Sequence, residues 1–141
     1  MGLTDIFDIA GSALAGQTTR LHATASNMAN ASNVSSTAED AYKAKRVVFR
    51  TVLEDQIIGN VRRPAGSLLV DGVKDDPSPH RKLYDPSNPL ADEDGYVYQS
   101  NVEEVEEVVE MLAAARSYQN NVEVINTAKQ LMTRTLEVLK A

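Results

Sequence analysis

Between Val102 and Leu139 the chain contains neither glycine nor proline. A stretch of that length without either residue is typical of one continuous helix. Apolar residues recur along it in alternating steps of three and four, which is the spacing of a helix that packs lengthwise on another helix. We call this row the carboxy-terminal seam: Val108, Met111, Ala115, Tyr118, Val122, Ile125, Met132, Leu136 and Leu139, interrupted by Lys129.

Such a helix is too long for a compact fold of 141 residues. At about 1.5 Å per residue it would extend over on the order of 55 Å. A compact chain of this size has a radius of gyration of about 14 Å. Much of the seam therefore needs a partner outside a compact core.

The amino-terminal segment repeats this spacing. From Leu3 to Ala31 the residues at alternating steps of four and three are mostly apolar, and this row is longer than a typical helix of about 11 residues. We therefore predict a second long helix. Its row, the amino-terminal seam, consists of Leu3, Phe7, Ala10, Leu14, Gln17, Leu21, Thr24, Met28 and Ala31.

The segment between the two seams differs in composition. Residues 42–97 hold all five prolines and nine of the fourteen basic residues. Alternating apolar residues predict a strand within Tyr42–Leu53. Further short strands are predicted at Leu68–Val73, with turn chemistry at Asp71-Gly72, and at Tyr96–Tyr98.

These elements predict an α+β fold. Long amino- and carboxy-terminal helices are expected to pack as a coiled coil, with a small β-rich insert between them. An insert of this kind suits a filament, in which terminal helices bundle and the insert decorates the outside. The predicted boundaries are 1–34 for the amino-terminal helix with an Asn-rich motif, 35–99 for the insert and its loops, and 100–141 for the carboxy-terminal helix.

Five glutamates crowd the start of the carboxy-terminal helix. The helix dipole stabilises acidic side chains there, so we predict a solvated acidic face. A carboxylate-bridged metal site would instead need Glu-x-x-His pairs, and this helix contains no histidine. The glutamates are Glu103, Glu104, Glu106, Glu107 and Glu110.

No motif for catalysis or cofactor binding occurs in the sequence. The chain has no cysteine, and its two histidines, His22 and His80, lie in different segments. No phosphate loop, dinucleotide fingerprint or nucleophile elbow is present. Asp92–Gly95 resembles part of a calcium loop, but Leu90 and Asn101 stand where such a loop needs carboxylates. We therefore predict no enzyme activity, no cofactor and no metal site.

The charge balance argues against nucleic acid as a partner. The formal net charge is −6, whereas nucleic-acid-binding domains carry a basic patch or stripe. The one basic cluster has few aromatic neighbours, which predicts a charged strand edge or a patch for a protein partner. It comprises Lys43, Lys45, Arg46 and Arg50.

Neither a membrane span nor a secretory signal is predicted. No apolar run approaches the roughly 18 residues that cross a bilayer. Asp5 and Asp8 stand where the beginning of a secretory signal is positive. We therefore expect no membrane insertion and no cleaved signal peptide.

Several motifs resemble those of bacterial flagellar axial proteins. Ala25–Ser32 is similar to the Asn-rich motif after their first helix, and Tyr42–Leu53 resembles the strand that opens the insert of proximal-rod subunits. The likeness covers nearly the whole chain, about 1–34 and 42–141. Further similar strings are Asp76–Pro79, Tyr84–Pro86, Asn88-Pro89, Asp94–Val97, Asn101-Val102, Glu106-Glu107, Ala115–Tyr118 and Val124–Lys129.

The resemblance is to the flagellar basal-body rod protein family, closest to its proximal-rod subunits, and it implies a structural role. Such subunits leave the cell through the flagellar type III export apparatus without cleavage of a signal, and assemble in the periplasm into the rod that drives motility. The implied partners are copies of this chain, other rod proteins and the export apparatus. The residues that carry the family motifs are Asn27, Asn30, Asn101, Arg116 and Asn126.

A soluble helical adaptor or export chaperone is the alternative. Such a protein would stay in the cytoplasm and be helical throughout in isolation. A rod subunit is instead expected to polymerise through its two seams.

Overall fold

The computed structural model describes residues 2–58 and 60–140. Long helices lie near both ends, and seven short strands lie between them in the described part of the chain. The fold class is therefore α+β. The elements are α1 (Leu3–Ala29), β1 (Val34–Ser35), β2 (Lys45–Thr51), β3 (Gln56–Ile58), β4 (Val61–Arg63), β5 (Leu68–Asp75), β6 (Lys82–Tyr84), β7 (Tyr96–Gln99) and α2 (Glu104–Lys140).

Both predicted helices are confirmed. α1 has 27 residues and α2 has 37. The first turn of α2 carries glutamates and its last turn carries Lys140, which matches the sign of the helix dipole at each end. Over the described residues, neither helix is apolar enough along its length to cross a membrane.

The strands form three small sheets. In the first, β7 lies between β1 and β6, all antiparallel, with Val34 opposite Gln99 and Leu83 opposite Val97. The second sheet pairs β2 with β5. The third is the antiparallel β3–β4 hairpin, where Ile58 is directly opposite Val61.

The structure confirms three predicted strands and corrects one detail. β2, β5 and β7 lie where the sequence predicted strands. The turn predicted at Asp71-Gly72 is wrong, because β5 continues through both residues to Asp75. Sequence reasoning missed β1, β3, β4 and β6, which have only two or three residues each and are too short to display an alternating pattern.

The chain divides into two compact units. The first contains the described residues of Met1–Thr19, Val48–Gly72 and Ala113–Ala141. The second contains Arg20–Val47 and Val73–Leu112.

Small side chains form the core of the first unit. Its buried apolar residues are Ala10, Val52, Ala114 and Ala128. α1 approaches β5 closely at Gly16, because a Cβ atom at that position would lie 2.8 Å from Leu68 Cδ2 and 3.2 Å from Phe49 Cε1. One turn earlier on α1, the hydroxyl of Ser12 accepts a hydrogen bond from Leu68 N at 2.9 Å.

The second unit has a core in which apolar and polar side chains are mixed. The buried apolar residues are Ala31, Ala41, Ala44 and Val97. Among the polar ones, Asn27 and Glu107 are each only 1% exposed. Buried polar groups are stable only when they are paired, so this unit depends on a specific hydrogen-bond network.

Candidate subunit interface

Asn27, in the last turn of α1, is joined to the start of β2. Its side-chain Nδ2 donates to the carbonyl of Lys45 at 3.0 Å, and Lys45 N donates back to Asn27 Oδ1 at 2.7 Å. The hydroxyl of Tyr42 donates to the same Oδ1 at 3.1 Å. The side-chain amide of Asn27 thus makes, with the N–H and C=O of Lys45, the two hydrogen bonds that a peptide group of a neighbouring strand would make at the start of β2.

Asn101, just before α2, is joined to Ala44, the residue that directly precedes Lys45. Its Oδ1 accepts a hydrogen bond from Ala44 N at 2.7 Å. Its Nδ2 donates to the carbonyls of Asp76 and Ser78, at 3.1 and 2.9 Å. One side chain therefore holds two backbone segments of the insert together, at Ala44 and at Asp76–Ser78.

Asn30 organises the chain that leaves α1. Its Nδ2 donates to the carbonyl of Ser26 at 2.8 Å, and its Oδ1 accepts from Asn33 Nδ2 at 2.7 Å. The carbonyl of Asn33 accepts from Ser100 N at 3.0 Å, beside Asn101. Three of the asparagines that the family motifs single out, Asn27, Asn30 and Asn101, therefore belong to one network in the second unit.

Arg46 lies at the centre of an ionic cluster beside these asparagines. Its guanidinium is 3.0 Å from Glu107 Oε1, 3.2 Å from Asp76 Oδ2 and 3.4 Å from Glu106 Oε2. Burial works to lower the pKa of Arg46, but the three carboxylates outweigh it and raise the pKa. The hydroxyl and N–H of Ser78, followed by Arg46, lower the pKa of Asp76 below its ordinary value.

The prediction of a fully solvated acidic face is therefore wrong at Glu107. This side chain is buried because it pairs with Arg46, a contact between residues far apart in sequence. Glu110 is half-buried and forms an ion pair with Arg20. The other three glutamates of the cluster are exposed.

The basic cluster is largely neutralised inside the chain. Lys45 Nζ lies 2.5 Å from Asp75, and Arg50 lies 3.6 Å from Asp71. The hydrogen bond to Asp75 raises the pKa of Lys45. Together with the Arg46 cluster, these pairs agree with a charged strand edge.

The carboxy-terminal seam is only partly covered in the single chain. Met111, Ala115, Val122, Ile125 and Met132 are half-buried. The rest of the seam is exposed: Val108 by 42%, Tyr118 by 38%, Leu136 by 52% and Leu139 by 77%.

The amino-terminal seam is more fully covered. Ala10, Thr24 and Ala31 are buried, and Phe7, Leu14 and Leu21 are half-buried. Met28 is 36% exposed. The side chain of Leu3 lies outside the part of the chain that the structure describes.

Arg116 and Asn126 stand apart from the asparagine network. Both side chains are exposed on α2. The structure therefore brings together three of the five family-motif residues and leaves these two on the surface. Asp76 and Ser78, which sequence reasoning did not single out as site residues, join the network through the Asp-Pro-Ser-Pro string.

Within the described residues, no group of three or more His, Cys, Asp or Glu side chains could hold a metal ion. What the arrangement presents is two terminal helices, each tied to a β-rich insert, with apolar side chains exposed along α2. Long exposed apolar rows are the mark of a surface that packs against further chains.

Comparison with known proteins identifies the family. Residues 93–138 match the family model for the C-terminal part of flagellar basal body rod FlgEFG proteins. The chain is 48% identical to the flagellar basal-body rod protein FlgC of Yersinia enterocolitica over 136 residues, which is 96% of this chain and 97% of that protein. It is 46% identical to FlgC of Salmonella typhimurium with the same coverage, and 40% identical to FlgC of Buchnera aphidicola subsp. Schizaphis graminum over 98% of both chains.

The chain therefore belongs to the FlgC family of flagellar basal-body rod proteins. This is a family of structural rod subunits and not a class of enzymes. Membership supports the rod subunit over the helical adaptor or export chaperone, and it associates the chain with the basal body and with other rod proteins.

Proposed function

We propose that this chain polymerises through its terminal helices as a subunit of the proximal rod, in contact with copies of itself and with other rod proteins. The observation that carries the proposal is the uncovered part of the carboxy-terminal seam, above all Leu136 and Leu139, which are 52% and 77% exposed. Burying a fully exposed leucine completely contributes about 1.5–3 kcal/mol, and more than half of that gain is still available at these two residues. In the proposed rod, neighbouring subunits pack against these exposed seam residues and bury them.

Coiled-coil packing is the form that this contact takes in the proposal. The seams step by three and four residues, as side chains do at the interface of supercoiled helices. Met111, Val122, Ile125 and Met132 are half-buried and continue the row of exposed seam residues. A neighbouring helix laid along α2 covers both groups at once.

The asparagine network has a mechanical role in this proposal. A rod that transmits torque needs the helices and the insert of each subunit to move as one body. Asn27 and Asn101 join the end of α1 and the start of α2 to adjacent residues of the insert, Lys45 and Ala44. These bonds support a stiff connection within the second unit.

We further propose that the chain reaches the periplasm through the flagellar type III export apparatus. A chain without cysteine has no disulfide to form or break during export as an unfolded polypeptide.

Genetic complementation tests the proposal. Deleting the gene is expected to leave cells without assembled rods and hooks, and the wild-type gene restores them. Leu136→Glu and Val122→Glu are expected to fail in rod assembly because a charge on the seam cannot be buried. The matched control is Gln130→Glu, a polar and exposed position on the same helix.

Two results would contradict the proposal. One is a deletion strain that remains motile with intact hooks. The other is normal rod assembly by both seam variants, which would mean that the seam is not a subunit contact. Circular dichroism of each purified variant separates a failure to assemble from a failure to fold.

A further inference from the structure

The β3–β4 hairpin presents an apolar face to solvent. Ile58 and Val61 are a directly opposed pair, 38% and 50% exposed. Since side chains alternate between the two faces of a strand, Arg63 lies on the same face as Val61. We call Ile58, Val61 and Arg63 the hairpin face.

The base of this hairpin is fixed by an ionic bridge in the first unit. Arg62 Nη1 lies 2.9 Å from Asp5 Oδ1, and Arg62 Nη2 lies 2.6 Å from Asp55 Oδ2. Ala65 N donates to Asp55 Oδ1 at 2.9 Å. A two-stranded hairpin is only marginally stable by itself, so this bridge maintains an apolar surface that the single chain leaves uncovered.

An apolar groove of about 350 Å³ lies in the same unit. Ile6 of α1 forms one side, and α2 contributes Val124, Ala128 and Leu131. Val124 and Leu131 are 46% and 52% exposed. Glu123 is the one charged residue in its lining.

The two surfaces are complementary in polarity and charge. The hairpin face offers two adjacent aliphatic side chains beside the half-buried guanidinium of Arg63. The groove offers aliphatic side chains together with Asn120, Thr127 and the carboxylate of Glu123. Arg63 Nε is buried without a hydrogen-bond partner among the described residues. Neither Arg63 nor Glu123 has an ion-pair partner within the described part of the chain.

We propose that the hairpin face of one copy docks in the groove of a second copy, with Ile58 and Val61 against Val124 and Leu131 and with Arg63 facing Glu123. This contact joins two different surfaces of identical chains. Such head-to-tail contacts repeat from copy to copy and generate rings or helical filaments. The inference rests on the proposed function, because it specifies one of the contacts through which the chain polymerises.

Disulfide cross-linking of the full chain tests the docking. The natural sequence has no cysteine, so a pair of introduced cysteines reports a single contact. Val61→Cys and Leu131→Cys, placed in two differently tagged copies and mixed, are expected to form a heterodimer under mild oxidation. A disulfide forms only when the two Cα atoms come within about 7 Å.

The double variant gives the sharper result. A chain carrying both Val61→Cys and Leu131→Cys is expected to form a ladder of covalent oligomers, because each copy then has one cysteine on the hairpin face and one in the groove. The matched control pairs Val61→Cys with Leu83→Cys, an exposed aliphatic position on β6, and is expected to give no ladder.

Three outcomes would overturn the docking: no cross-link, homodimers of the single variants alone, or a double variant that closes only on itself as a monomer. Sedimentation of the wild-type chain under the same conditions separates this inference from the proposed function. If the chain assembles but the cross-link does not form, only the docking proposal is contradicted. If the chain never assembles, the docking proposal and the proposed function are both contradicted.

Discussion

Asn27 and Asn101 accept hydrogen bonds from adjacent backbone N–H groups, those of Lys45 and Ala44, each at 2.7 Å. One asparagine belongs to the last turn of α1 and the other directly precedes α2. The two bonds tie both helices to a single dipeptide of the insert. Ala44 is fully buried, so water cannot replace the bond that it donates.

Replacing Asn27 by alanine is expected to lower the free energy of unfolding by about 1–3 kcal/mol, because the partly buried N–H and C=O groups of Lys45 lose their partner. Urea denaturation followed by circular dichroism measures the change. Asn126→Ala is the control, since this exposed position lies on α2 outside the network and is expected to change stability by less than about 0.5 kcal/mol. Equal effects of the two variants would refute the role assigned to Asn27.

Glu107→Gln is expected to destabilise the chain by about 1.5–3 kcal/mol, because it removes a buried charge that pairs with Arg46, whose side chain is 34% exposed. Glu106→Gln is the matched control. Glu106 contacts the same guanidinium but is exposed, so its removal is expected to cost less than about 1 kcal/mol. A double-mutant cycle with Arg46→Met measures the coupling, and a negligible coupling energy for Glu107 would contradict the assignment.

Acid is expected to destabilise the fold through three aspartates. The pKa of Asp76 is lowered by Ser78 and Arg46, that of Asp5 by Gly2 N–H and Arg62, and that of Asp55 by Ala65 N–H and Arg62. Since each pKa is lower in the folded chain than its ordinary value of 3.8, the stabilisation is complete well above that value. It is lost as the pH falls through 3.8 toward the folded pKa.

Urea midpoints measured from pH 7 down to pH 3 test this dependence. Asp76→Asn is expected to be less stable than the wild type at pH 7 and to lose less stability on acidification. An unchanged slope in that variant would show that Asp76 does not contribute.

Gly16→Ala and Gly11→Ala are expected to have opposite effects although both lie on α1. A Cβ atom at Gly16 would lie 2.8 Å from Leu68, whereas at Gly11 it would meet no atom within 4 Å. Alanine at position 11 is expected to stabilise the helix by about 0.5–1 kcal/mol. Alanine at position 16 is expected to be less favourable by about 1–3 kcal/mol because the Leu68 and Phe49 side chains must move aside. Thermal unfolding compares them, and equal shifts would contradict the close packing at Gly16.

The two helices could be predicted from the sequence because their signal is local. Side-chain spacing and the absence of Gly and Pro between Val102 and Leu139 are visible without tertiary information. The strand β2 followed from a short alternating run, and β7 from the turn residues that precede it. The hairpin had a usable signal in the Gly59-Asn60 pair between apolar residues, and Asn60 does have a positive φ of 65°.

The asparagine network could not be predicted, because its bonds join residues distant in sequence. Asn27 bonds a residue 18 positions away, and Asn101 bonds one 57 positions away. The family resemblance singled out both asparagines. Their partners are backbone N–H and C=O groups, which every kind of residue carries, so the partner residues cannot be recognised by their type. The burial of Glu107 was missed for the same reason, since its partner Arg46 is 61 positions away.

The buried apolar residues of both units are mostly alanines, among them Ala10, Ala44, Ala114 and Ala128. Alanine releases little hydrophobic free energy on burial, while larger side chains such as Leu136 and Leu139 remain in water. In the proposed rod, the burial of these larger side chains is therefore gained only at association. The melting temperature of such a chain is expected to rise with its concentration, because subunits that bind one another in the folded state stabilise that state.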